Sequence, residues 1–172
     1  VIRIDFSKLR LLAIDDNPNM RRLLRTLLGG LGCREIYEAE DGASGLEVFR
    51  EYAPDIVVCD WVMPIMDGIE FTRAIRDPKR CANPYVPIII LSGYSEKSRV
   101  TRARDAGVTE FIVKPVSPKS LHSRMVSVVA QPRPFVETKD FFGPDRRRTA
   151  PINYQGPERR KDRMSDADRM EI

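Results

Sequence analysis

A short, almost wholly apolar run followed by a helical pattern recurs five times between residues 10 and 130, and that alternation leaves few folds open. Leu11-Leu12-Ala13-Ile14 and Pro87-Ile88-Ile89-Ile90-Leu91 show no polar alternation, so neither reads as a strand with one wet face. Such runs belong to parallel sheets covered by helices on both sides. After the first run, Asn17-Pro18 supplies an N-cap and a proline at the first helical position. Met20, Leu23, Leu24, Leu27, Leu28 and Leu31 then recur at helical spacing, and Gly29, Gly30 and Gly32 close the helix.

The other four units repeat this grammar. A second strand is expected near residues 35–38, and Asp41-Gly42 opens a helix carrying Ala43, Leu46 and Phe49. The third run, Ile56-Val57-Val58-Cys59, ends in Asp60, whose carboxylate is expected to project into solvent. Met63-Pro64 and Asp67-Gly68 mark turns, and the next helix carries Ile69, Thr72 and Ile75 until Asp77-Pro78 stops it. The fourth run ends in Ser92-Gly93. A more polar helix is expected from Ser95 to Ala106, with only Val100, Ala103 and Ala106 to bury before Gly107 stops it. Phe111-Ile112-Val113 leads into Lys114-Pro115, and Leu121, Met125, Val128 and Val129 mark the last helix. Right-handed crossovers reduce the arrangements to an α/β fold: a doubly wound five-stranded parallel sheet, flavodoxin-like order 2-1-3-4-5, with five helices.

Residues 1–130 are expected to form one domain and residues 131–172 an irregular C-terminal extension. Hydrophobic residues make up 42% of the chain, enough for a sizeable core, and the net charge of +4 is too small to mark a nucleic-acid binder by itself. Cys33, Cys59 and Cys81 are odd in number and lack C-x-x-C spacing, which points to reduced thiols. No apolar stretch reaches the roughly 18 residues of a membrane span. No membrane contact and a cytoplasmic location are the default expectations.

Asp15, Asp16, Asp60, Ser92 and Lys114 each stand at or just after the C-terminal end of a strand. In the order 2-1-3-4-5 these ends share one rim, where open α/β sheets bind ligands. Carboxylates gathered there raise one another's pKa unless a cation compensates, and a lysine and Mg²⁺ are the natural candidates. A hydroxyl, an ammonium and a metal around one aspartate make the electrostatic clamp that phosphoryl transfer to that aspartate requires.

On these residues, in this order and spacing, residues 10–130 resemble the receiver domain of two-component response regulators. The resemblance implies that Asp60 accepts a phosphoryl group from a histidine kinase or phosphotransfer protein. It implies Mg²⁺ held by Asp16 and Asp60, by Asp15 through water, and by the Val62 backbone carbonyl. Lys114 would pair with the phosphoryl oxygens, and Ser92 would move to hydrogen-bond them. Phe111 would be the switch aromatic, and the Lys114–Pro115 bond would be cis. Val62 and Tyr94 fall at the positions that tune the lifetime of the phosphoryl group, and Val62 offers an attacking water no hydrogen bond. Homodimers through the fourth helix, fifth strand and fifth helix are a further implication.

The tail holds a repeat. Phe141-Phe142-Gly143-Pro144-Asp145-Arg146-Arg147-Arg148 matches Tyr154-Gln155-Gly156-Pro157-Glu158-Arg159-Arg160-Lys161 as aromatic-x-Gly-Pro-acid-Arg-Arg-base, 13 residues on. A bare polar extension does not require that match. The repeat suits a partner-binding or self-docking segment, anchored by Phe141, Phe142 and Tyr154, with Arg146, Arg147, Arg159 and Arg160 pairing with acidic groups. Ten Lys/Arg against eight Asp/Glu disfavour nucleic acid as its partner. No helix-turn-helix pattern follows the domain. The chain therefore reads as a stand-alone response regulator, not an enzyme, that signals to an unidentified downstream protein. The rival readings are a phosphorylation-independent adaptor, a tail-mediated nucleic-acid binder, and a metal-dependent phosphohydrolase, which would place its nucleophile after the first strand as Asp-x-Asp where this chain has Asp15-Asp16-Asn17.

Overall fold

The computed structural model describes residues 3–93 and 97–147. Strands β1 (Arg10–Ile14), β2 (Glu35–Ala39), β3 (Ile56–Asp60), β4 (Ile88–Ser92) and β5 (Glu110–Val113) alternate with helices α1 (Pro18–Gly30), α2 (Gly42–Tyr52), α3 (Gly68–Ile75), α4 (Lys97–Ala106) and α5 (Pro118–Ala130). All five strands are parallel, in the order β2-β1-β3-β4-β5 expected from the sequence. The Lys114–Pro115 bond is cis.

Side chains alternate across a strand, so the uniformly apolar runs fill two cores. Leu12, Ile14, Val57, Cys59, Ile88 and Ile90 face one side, against Phe49, Ile69, Phe71, Ile75 and Ala103 of α2, α3 and α4. Leu11, Ala13, Val58, Ile89, Leu91 and Ile112 face the other, against Leu24, Leu28, Leu121, Met125 and Val128 of α1 and α5. The helix starts are set locally: Asn17 caps α1, and Asp41, Asp67 and Ser117 form capping boxes with Ser44, Glu70 and Ser120. Asp67-Gly68, read from sequence as a turn, is thus also a helix start. Gly68 has a second task, since a Cβ there would collide with the Asp60 carbonyl oxygen.

Part of the tail departs from expectation. Within the stretch read as irregular, β6 (Phe135–Glu137) and β7 (Phe142–Pro144) pair as a short antiparallel hairpin. The cause is tertiary: Phe135 and Phe142 pack with Tyr85 of the loop before β4, with ring centroids 5.0 to 5.5 Å apart. Arg76, at the end of α3, is buried beneath them. Its guanidinium donates to the carbonyls of Gly107, Pro84 and Val86 at 2.6 to 2.9 Å and to Thr109 Oγ1 at 3.3 Å. Burial pulls its pKa down to about 9, so it is still charged at neutral pH. Among the described residues no helix is long and apolar enough to cross a membrane.

Replacing Arg76 by a group that donates no hydrogen bond strands several buried carbonyl oxygens, each costing roughly 1–3 kcal/mol. Arg76→Met is therefore expected to destabilise the fold by about 3 kcal/mol or more. Urea and thermal unfolding check this, with a melting temperature expected to fall by roughly 10 °C.

Candidate functional site

Parallel strands of matched register end at one rim, and that rim collects the predicted site residues. Asp15 follows β1, Asp60 ends β3, Ser92 ends β4 and Lys114 follows β5. Backbone hydrogen bonds extend the pairing into the loops: Asp15 N–H donates to Ala39, Trp61 N–H to Leu91 and Lys114 N–H to Ser92. Each functional side chain is therefore held by the sheet itself.

Lys114 Nζ lies 2.8 Å from Asp60 Oδ1 and 3.7 Å from Asp15 Oδ2. One lysine thus serves two carboxylates. Asp15 is 1% exposed; its Oδ1 accepts the Asn17 N–H at 2.9 Å, while its buried Oδ2 accepts no hydrogen bond. Asp16, by contrast, is exposed. Carboxylate oxygens of Asp15, Asp16 and Asp60 all lie within 4.8 Å of one another. An unsatisfied buried carboxylate oxygen beside two further carboxylates is the environment a hard divalent cation completes, and an all-oxygen donor set fits Mg²⁺.

Desolvation raises the Asp15 carboxyl, opposed by the Asn17 N–H and reinforced by the charge of Asp60. Desolvation also raises Asp60, against the hydrogen bond and charge of Lys114. For Lys114, burial works against the charge, but the hydrogen bond and charge of Asp60 outweigh it, and the ammonium moves up. The site therefore concentrates negative charge that a single ammonium only partly relieves.

Asp60 differs from expectation in one respect. Its carboxylate does not project into solvent but is nearly buried, with the Lys114 ammonium paired to it. Ser92 is buried too, while Val62 is 61% exposed. Phe111 is half-buried and meets Trp61 edge to face at 6.2 Å. Tyr94, Tyr154, Arg159 and Arg160 lie outside the described residues. Of the predicted tail contacts, Arg146 pairs with Asp105 at 2.9 Å and covers the Phe141 ring, and Arg147 pairs with Asp145. The described tail thus docks on its own domain.

Three residues escaped the sequence reading. Trp61, next to Asp60, is buried with the Arg99 and Arg102 guanidinium groups of α4 over its ring at 5.6 and 5.7 Å. Glu110 at the start of β5 is buried and gathers Arg124, Ser127 and Arg133. Arg76 is the third. The lone tryptophan beside a strand-end acid was a usable signal; the other two carried none.

The sequence profile of the response regulator receiver domain matches residues 11–126. Chemotaxis protein CheY1 of Helicobacter pylori is 33% identical over 122 residues, 70% of this chain and 97% of that protein. Chemotaxis protein CheY of Pseudomonas aeruginosa is 31% identical over 120 residues, covering 70% and 95%. Among solved structures, Vibrio cholerae chemotaxis protein CheY4 superposes with a TM-score of 0.65 at 27% identity, covering 70% of this chain and 98% of that one. A putative response regulator from Chloroflexus aurantiacus gives the same score and identity, covering 72% and 98%.

The raised carboxylates set the sign of a pH effect. The folded chain binds protons more tightly than the unfolded one, so stability falls as pH rises from the ordinary carboxylate value of 3.8 through the raised values. Asp15→Asn keeps the Asn17 cap and removes one charge. In chelator at pH 7 it is expected to stabilise the fold, a gain that shrinks as pH is lowered toward 4. Urea melts at a series of pH values measure both; a variant less stable than the parent at pH 7 would contradict the charge-crowding account.

Proposed function

The chain belongs to the response regulator receiver domain family, and on that premise we propose that Asp60 is its phosphoryl acceptor in a two-component pathway. The donor is a phosphohistidine on a histidine kinase or phosphotransfer protein, or a small phosphodonor. An Asp60 Oδ attacks phosphorus; from phosphohistidine the P–N bond breaks and the imidazole leaves, taking a proton from solvent, and from an acyl phosphate the P–O bond breaks and the carboxylate leaves. The observation that carries this reading is Lys114 Nζ at 2.8 Å from Asp60 Oδ1, beside the unsatisfied Oδ2 of Asp15.

Each residue has a task. Asp15, Asp16 and Asp60, with the Val62 carbonyl, would hold Mg²⁺. When bound, the ion offsets the charge of the carboxylates and of the incoming phosphoryl oxygens. Lys114 holds the acceptor carboxylate in place and is within reach of an oxygen added to it. Ser92, ending the neighbouring strand, supplies the hydroxyl for a phosphoryl oxygen. Phe111 and Trp61, packed edge to face, respond to movement of that hydroxyl. The result is a change in protein contacts, a signal rather than metabolic turnover.

Incubation with acetyl phosphate and Mg²⁺ is expected to add one phosphoryl group by intact mass, lost in Asp60→Ala and in excess chelator. Failure to label under conditions that label a control receiver would overturn the assignment. Val62 exposes an apolar side chain beside the acceptor, so water attacking the aspartyl phosphate finds no hydrogen-bond partner there. Val62→Asn is expected to shorten the half-life of phospho-Asp60, read from decay of the phosphorylated mass after donor removal; an equal or longer half-life would contradict that role.

A further inference from the structure

The phosphoryl chemistry leaves the C-terminal hairpin unexplained. It sits at the N-terminal ends of β4 and β5, the far end of the sheet from Asp60, on the corner where α4 turns into β5. Arg146 pairs with Asp105 in the last turn of α4, and Arg133 pairs with buried Glu110 at 3.1 Å. Gly107, at φ +96°, lies under Gly143 so closely that a Cβ on Gly143 would come within 3.1 Å of the Gly107 Cα. Phe135 closes the contact over Arg76, whose guanidinium carbon is 5.1 Å from the ring centroid and which also holds the Gly107 carbonyl.

The first copy of the repeat is therefore legible as a clasp. Phe141 supports Arg146, Gly143 permits the close approach, Asp145 orients Arg147, and Arg146 reaches α4.

Helix α4 touches both ends of the molecule. Its only fully buried side chains are Ala103 and Ala106, so the core anchors it less firmly than α1, α3 or α5. Near its start, Arg99 and Arg102 lie on Trp61, the residue after Asp60; at its end, Asp105 holds the clasp. A helix with little core burial and polar anchors at both ends is suited to two positions.

We propose that α4 couples the α4–β5 corner, as a docking surface occupied by residues 131–147 of the same chain, to the state of Asp60. This rests on Asp60 being the phosphoryl acceptor. The hairpin docks on the arrangement in which Lys114 pairs with Asp60. A phosphoryl group that recruits Lys114 and Ser92 shifts Trp61 and α4, and that movement pulls on the Asp105–Arg146 pair and the close Gly107–Gly143 approach at the end of the helix. Phosphorylation therefore loosens the clasp and exposes the corner to partners. A loosened clasp populates the phosphorylated arrangement in advance, so loosening it favours phosphorylation in rate as well as extent.

The test uses the full chain with acetyl phosphate and Mg²⁺, with the phosphorylated fraction counted by intact mass in the same samples. Amide hydrogen exchange in residues 135–144 is expected to speed up about fivefold on phosphorylation. Asp105→Arg, which also denies the corner to the second copy's Arg159, is expected to raise the phosphorylation rate about threefold or more. The charge swap Asp105→Arg with Arg146→Glu is expected to bring it back toward the parent rate. Arg146→Glu alone, on the tail, is a second variant that leaves α4 intact and is expected to act in the same direction as Asp105→Arg. Full phosphorylation with unchanged exchange and an unchanged Asp105→Arg rate would overturn the coupling and leave the acceptor reading standing. No labelling of the parent at all would sink both.

Discussion

Everything at the rim depends on Lys114 holding two carboxylates that would otherwise repel each other. Asp60 and Asp15 approach one ammonium at 2.8 and 3.7 Å, and desolvation raises both carboxyls despite it. A sheet that brings strand ends together in register produces this crowding inevitably, since Asp15 extends β1 and Asp60 ends the adjacent β3. Charge that the fold only partly neutralises is an environment that suits a hard cation, and on the proposed function that ion and Lys114 together would favour an incoming phosphoryl group.

The two-core construction explains why such a site can be held rigidly. Successive residues of β1, β3 and β4 alternate between the α2–α4 layer and the α1–α5 layer, so a shift of one strand would disturb both cores. α4 is the exception. With two alanines as its fully buried side chains, it is positioned by cations over Trp61 at one end and an ion pair to the tail at the other. Rigidity is concentrated where Asp60 sits, and looseness in α4.

Much of this was legible in the residues. The five apolar runs, the caps at Asn17 and Asp41, and the polar residues closing each run placed the strands, their order and the rim. Asp15, Asp16, Asp60, Ser92 and Lys114 were placed on that rim because each is a polar residue at or just after the end of an apolar run; none is specific alone, and they read as a site only as a set. The burial of Asp60 was not legible, since it depends on what the fold brings around a strand end. The hairpin was missed for the same kind of reason: Phe135 and Phe142 form strands only because Tyr85 and Arg76, distant in sequence, supply the surface they pack on.

Periodicity and capping are short-range physics, a matter of which side chains share a face and which donors lack acceptors within one turn. They determined the elements, and the handedness of crossovers then determined the sheet. Arg76, Glu110 and Gly107 gain their roles only through partners that the crossovers bring to one end of the sheet, from α3, α5, the loop before β4 and the tail. No local pattern records which carbonyls will need a guanidinium or which glycine will face another. Only the tertiary structure could decide that an arginine in the middle of the chain and a motif near its end belong to the same contact.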